Sequence, residues 1–283
     1  MTESTHTLLS ALSPDTLPSG RLRRGVRLFA EAVVHTLAAQ LIAAWTGIPQ
    51  GGFFSLFLST AALSRRFDQL LDENRQAIYE RKEPSPRVNA RTAASLLALF
   101  LGMLTAYAGA ALLIGEAHLR DDFGFVLEVA GLGSDTLSTR RFGSVPGLLL
   151  HNGLVLLTFF VLALVYRGYG ALLALSWNAC VWGMVLTLLA HRGAQASRLS
   201  GLLYVPLSAA AVLPHLLLEV VGYVLGSLAG IFLSKALARY RLDDPLVAEV
   251  SRVAMVLLGL ALGLLGAAAL LEARWAPFVL GAG

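Results

Sequence analysis

Apolar residues in this chain recur in runs of about 20, the length an α-helix needs to cross roughly 30 Å of hydrocarbon. Five runs are clear: 92–114, 145–166, 168–190, one within 202–236, and 248–271. Few alternatives satisfy backbone hydrogen bonds in lipid, so this pattern predicts a membrane helix bundle. Composition agrees, with 56% hydrophobic residues, 14% charged residues and a mean hydropathy of +0.68. An ordinary soluble domain carries far more charge.

The expected fold is all-α, a polytopic bundle of five core transmembrane helices preceded by an N-terminal apolar hairpin or re-entrant element. Residues 1–27 read as a polar, then basic, N-terminal tail without the apolar core of a cleavable signal peptide. Residues 28–64 hold an apolar helix (28–46), a Gly-Ile-Pro-Gln-Gly-Gly break and a shorter apolar run (53–63), and suit a hairpin, a re-entrant element or two interfacial helices. Residues 65–90 are a cytoplasmic charged helix and linker; Phe67, Leu70, Leu71, Ile78 and Tyr79 give it an apolar stripe that packs on the bundle or docks a partner. The five-span domain occupies 91–272, and 273–283 is a tail.

Basic residues set the orientation. The 65–91 segment carries seven Lys or Arg, whereas the 115–144 loop carries three among five acidic residues. Arg167, Lys235, Arg239 and Arg241 fall on the same side as the 65–91 segment. The positive-inside rule then places the N-terminus in the cytoplasm and the C-terminus outside a cytoplasmic membrane. The net charge of +4 is accounted for by these loops, and no basic–aromatic stripe for nucleic acid is present. The single cysteine, Cys180, lies in an apolar run and excludes an intrachain disulfide.

Ionisable groups inside hydrocarbon are costly, so those within the spans are the candidate site. His215 and Glu219 lie one helical turn apart, and His151, Asn152 and Asn178 fall at a similar depth by helix rise. Pro214 suggests a helix break with His215 and Glu219 in the first turns beyond it. Three roles remain open: a buried hydrogen-bond cluster that fixes packing, proton, ion or solute handling, and a metal centre. His151, His215 and Glu219 are weak metal candidates, because two His and one Glu suit zinc but the spacing is not His-Glu-x-x-His. No catalytic residue or cofactor is assigned. Glu31 and His35 form a separate i, i+4 pair.

Gly222, Gly226 and Gly230 form a small-residue face after Glu219, and Gly259 and Gly263 form another in the last span. Such faces let helices approach closely, within one chain or in a homodimer.

His151-Asn152 opening a span, Asn178 in the next, and Pro214-His215 with Glu219 opening a later Gly-rich span resemble the stage II sporulation protein M family. The resemblance covers about residues 90–272. Members usually carry Gly after that His, where this chain has Leu216. It implies a non-enzymatic membrane scaffold or complex subunit with membrane or cell-envelope partners that remodel peptidoglycan. The residues alone also allow a transporter or channel component that uses the polar cluster.

Overall fold

The computed structural model describes residues 20–114, 116–129, 145–197 and 201–280. They form seven helices: α1 (Arg21–Thr46), α2 (Gly51–Tyr79), α3 (Ser85–Leu113), α4 (Glu116–Val129), α5 (Val145–Ser197), α6 (Gly201–Arg239) and α7 (Pro245–Leu280). Five stretches are long and apolar enough to cross a membrane: Leu22–Thr46, Ser85–Leu113, Val145–His191, Tyr204–Arg239 and Pro245–Trp275. The third contains two arms. At Arg167 the backbone takes φ 54° and ψ −130°, and the chain reverses from α5a (145–166) to α5b (168–197). The expected five-span core is therefore α3, α5a, α5b, α6 and α7, and α1 adds a sixth apolar helix.

The Arg167 reversal works because its neighbours are glycines. A Cβ on Gly170 would strike the carbonyl of Leu162, and one on Gly168 would lie 2.6 Å from Asp68 Oδ1. Two antiparallel arms and α2 thus meet at one end of the bundle. That end, the charged face, also holds the start of α1, where Arg24 pairs with Glu73 at 2.7 Å. The α6–α7 link lies there as well, since Lys235 is near enough to Asp68 to interact electrostatically.

The N-terminal region differs from expectation. No boundary separates an apolar arm from a charged helix near residue 64; α2 runs unbroken from Gly51 to Tyr79. Its apolar arm is not lipid-facing on all sides, because Ser55, Ser59 and Thr60 point into the core. Each hydroxyl bonds a carbonyl of its own helix, Ser55 to Gly52, Ser59 to Leu56 and Thr60 to Leu56. That satisfies them in apolar surroundings. Ser59 also lies 3.2 Å from both Tyr107 Oη of α3 and Ser176 Oγ of α5b, which joins three helices. Gly47, at φ 61°, ends α1 in the left-handed conformation that glycine tolerates best.

The apolar stripe of the charged part packs on the bundle through Phe67, Leu70 and Leu71, all buried, while Tyr79 is exposed. Ion pairs fasten α2 to α1: Arg66 grips Glu31 with two nitrogens, at 2.7 and 2.9 Å. Glu31 therefore pairs with Arg66 and Arg27 through its side chain, while His35 Nδ1 meets its backbone carbonyl at 2.7 Å. Buried Asn74 bonds Asn89 and Thr92 of α3.

Residues 116–129, expected to belong to a loop, form α4. It packs Phe123 edge-on against Tyr107 with ring centroids 6.4 Å apart. Phe123 also fills the space beside Gly52, so α4 caps the tip of the α1–α2 hairpin at the face opposite the charged one. The tail over 1–19, the rest of the 115–144 loop and the end of the 273–283 tail fall outside the described residues.

Candidate functional site

Prolines usually interrupt a helix because they remove a donor and crowd the preceding turn. The break expected at Pro214 does not occur: α6 continues through Pro206 and Pro214. Pro214 cannot bond the carbonyl of Ala210, and Trp275 Nε1 of α7 donates to that carbonyl instead, at 2.9 Å. A side chain from the neighbouring helix thus substitutes for the missing backbone donor. His215 and Glu219 consequently sit mid-helix rather than at a helix N-terminus.

His215 and Glu219 face inward, 1% and 2% exposed. Asn152 of α5a donates its Nδ2 to Glu219 Oε1 at 2.6 Å. This is the one hydrogen bond to the Glu219 carboxylate among the described residues. Glu272 of α7 is also buried and close enough to Glu219 for the two carboxyls to interact electrostatically, and Tyr223 lies near both. His215 places its ring against Trp182 of α5b, centroids 5.9 Å apart. Neither ring nitrogen makes a full hydrogen bond among the described residues, although the carbonyl of Ala211, one turn back, lies close enough to interact.

Asn178 is buried, and its Nδ2 has no hydrogen-bond partner among the described residues. It lies one turn before Trp182, and Glu219 lies one turn after His215, on antiparallel helices. The Trp182–His215 contact therefore brings Asn178 level with Glu219. His151 does not join them. It is exposed on α5a because adjacent helical residues point about 100° apart, and Asn152 takes the inward direction. Among the described residues no three His, Cys, Asp or Glu side chains converge as metal ligands, so His151, His215 and Glu219 do not form a ligand set.

Glu272 and Tyr223 were not legible as site members. Glu272 follows Leu271 at the end of the last apolar run, where an acidic residue reads as the water boundary. The signal available was spacing: Glu272 precedes Trp275 by one turn, and Trp275 anchors α7 to α6.

The two glycine faces behave differently. A Cβ on Gly222 would lie 3.2 Å from the Ala261 carbonyl of α7. Gly226 abuts Leu156, and Gly230 abuts Phe160, Ala163 and Leu164 of α5a. This face is used within the chain. Gly259 and Gly263 have nothing within 4 Å of an added Cβ, so among the described residues the second face is unpacked at these two positions.

Below Glu219, one turn toward the charged face, Tyr223 stacks on Phe159 of α5a with centroids 4.9 Å apart. Beyond it Gly226 and Gly230 pack against α5a. The arrangement is a buried carboxyl held by an amide, flanked by a second carboxyl and an unpartnered imidazole.

A family model described as Stage II sporulation protein M matches residues 93–277. No curated protein and no solved structure matches the chain.

Proposed function

The chain belongs to the stage II sporulation protein M family, and on that premise we propose that it is a non-enzymatic subunit that scaffolds a membrane complex with cell-envelope partners that remodel peptidoglycan. It is a multi-pass membrane protein. In this proposal it lies in the cytoplasmic membrane, with the charged face and N-terminus toward the cytoplasm and the C-terminus outside, as the Lys and Arg distribution favours.

The observation that carries the reading is the fastening of α2. Two ion-paired contacts to α1 and the Asn74 bonds to α3 fix a charged helix to the bundle. Arg65, Asp72, Arg75 and Tyr79 remain exposed along it. A rigid, charged projection on a membrane base suits holding partners in place.

The test is gentle purification of tagged protein from its native membrane with a photo-crosslinker at Arg75 or Tyr79. A stoichiometric cell-envelope partner, crosslinked there and not from Leu41 on the apolar side of α1, supports the proposal. A protein that purifies alone and crosslinks to nothing overturns it.

A second reading, a transporter or channel component, is favoured by Glu219, a buried carboxyl whose one hydrogen-bond donor among the described residues is the Asn152 amide. Flux that vanishes in a folded Glu219→Gln variant would replace the first reading with this one.

A further inference from the structure

The polar residues between α5, α6 and α7 are arranged in height as well as in contact. Antiparallel pairing through Trp275 and Ala210 sets Glu272 level with Leu213, since each lies three residues from its anchor. Glu272 is thus about 9 Å nearer the C-terminal face than Glu219. His215 falls between the two levels. A line of polar groups descends from the C-terminal face through Glu272 and His215 to Glu219, Asn152 and Asn178.

The line lies nearer the C-terminal face than the charged face. Asn152 is fifteen residues from the Arg167 reversal, about 22 Å above it, but only seven from the start of α5, about 10 Å. Toward the charged face Tyr223 stacks on Phe159, and Gly226 and Gly230 pack against α5a; the next buried polar group along α6 is Ser227. Among the described residues both His215 nitrogens and Asn178 Nδ2 are buried without hydrogen-bond partners, at the levels where a ligand would pass or rest.

We propose that Glu219 is a proton-binding carboxyl served from the C-terminal side of the membrane through Glu272 and His215, and sealed from the charged side by Phe159 and Tyr223. The ligand is a proton because three groups of the line, two carboxyls and an imidazole, both accept and release one. The titratable groups near Glu219 are Glu272 of α7 and Tyr223 and His215 of its own helix, while α5 presents the neutral amides of Asn152 and Asn178. The proposal does not depend on the scaffold reading, since a proton site is compatible with a scaffold.

The experiment uses the full chain in proteoliposomes whose orientation is fixed by protease access to the charged face. N,N′-dicyclohexylcarbodiimide dissolves in the bilayer and reacts with protonated carboxyls. The acid oxygen adds to the central carbon as its proton moves to nitrogen, and the O-acylisourea rearranges to a stable N-acylurea that mass spectrometry locates. The expected result is an adduct on Glu219 whose formation falls as pH rises on the C-terminal side and is indifferent to pH on the charged side. His215→Ala should slow the response to that pH step, and Glu219→Gln should lose the adduct. Because the wild-type adduct is mapped directly, a Glu219→Gln variant that fails to fold leaves the test intact. Control by pH on the charged side, absence of a Glu219 adduct at every pH, or protection by Na⁺ at constant pH overturns the proposal.

Discussion

Asn152 Nδ2 donates to Glu219 Oε1 at 2.6 Å, and this bond ties α5a to α6 where both residues are buried. Its loss has a defined sign. Asn152→Leu removes the donor and leaves the carboxyl buried without it, which costs about 1–3 kcal/mol. Thermal unfolding in detergent should show that loss. Glu219→Gln keeps an acceptor for Asn152 and should be the milder change; an equal or greater loss would contradict the geometry.

Glycines that look alike in sequence should respond differently. Gly230→Ala places a methyl against the Phe160 carbonyl and forces α5a and α6 apart, at about 1–3 kcal/mol. Gly259→Ala meets nothing within 4 Å and gains helix propensity, so it should be neutral or stabilising by up to about 1 kcal/mol. Paired unfolding curves distinguish the two.

The Arg66–Glu31 contact is bidentate and only partly exposed, 13% and 21% at the two side chains. A double-mutant cycle with Arg66→Ala and Glu31→Ala should give a favourable coupling on the order of 1 kcal/mol. The pair Arg241–Asp243, 90% and 75% exposed, should give little or none.

Asp68 titrates in the charged part of α2. Burial, then the neighbouring Asp72, raise its pKa above the ordinary aspartate value, while Lys235 opposes them. A carboxyl with a raised folded pKa binds more protons folded than unfolded, so stability falls as pH rises from the unfolded value through the folded one. Asp68→Asn should flatten the unfolding midpoint across that acidic window and leave it unchanged or higher at neutral pH. A steeper fall would contradict the assignment.

The spans of α3, α5, α6 and α7 were legible because hydropathy runs and the Arg167-Gly168 punctuation are local signals. So was the small-residue face of Gly222, Gly226 and Gly230, though not which helix it meets. The helical period also placed His215 and Glu219 on one face. What escaped depended on a neighbour. Pro214 reads as a break unless Trp275 is known to cover the freed carbonyl. His151 and Asn152 are adjacent, and only the helix's rotational setting decides which turns inward. Ser55, Ser59 and Thr60 interrupt an apolar run and suggest a short element, yet they are the buried face of a long one. Glu272 looks like a boundary residue until α7 is docked against α6.

The continuity of α2 has a mechanical side. A 29-residue helix is about 43 Å of nearly straight rod, without a joint between its charged end and Gly51–Gly52 at the hairpin tip. Its buried middle is bonded to α3 and α5b, so it cannot pivot freely in lipid. A load taken up at Tyr79 is borne by the same element that meets Phe123 at Gly52. One continuous, fastened helix thus links the two opposite sides of the bundle.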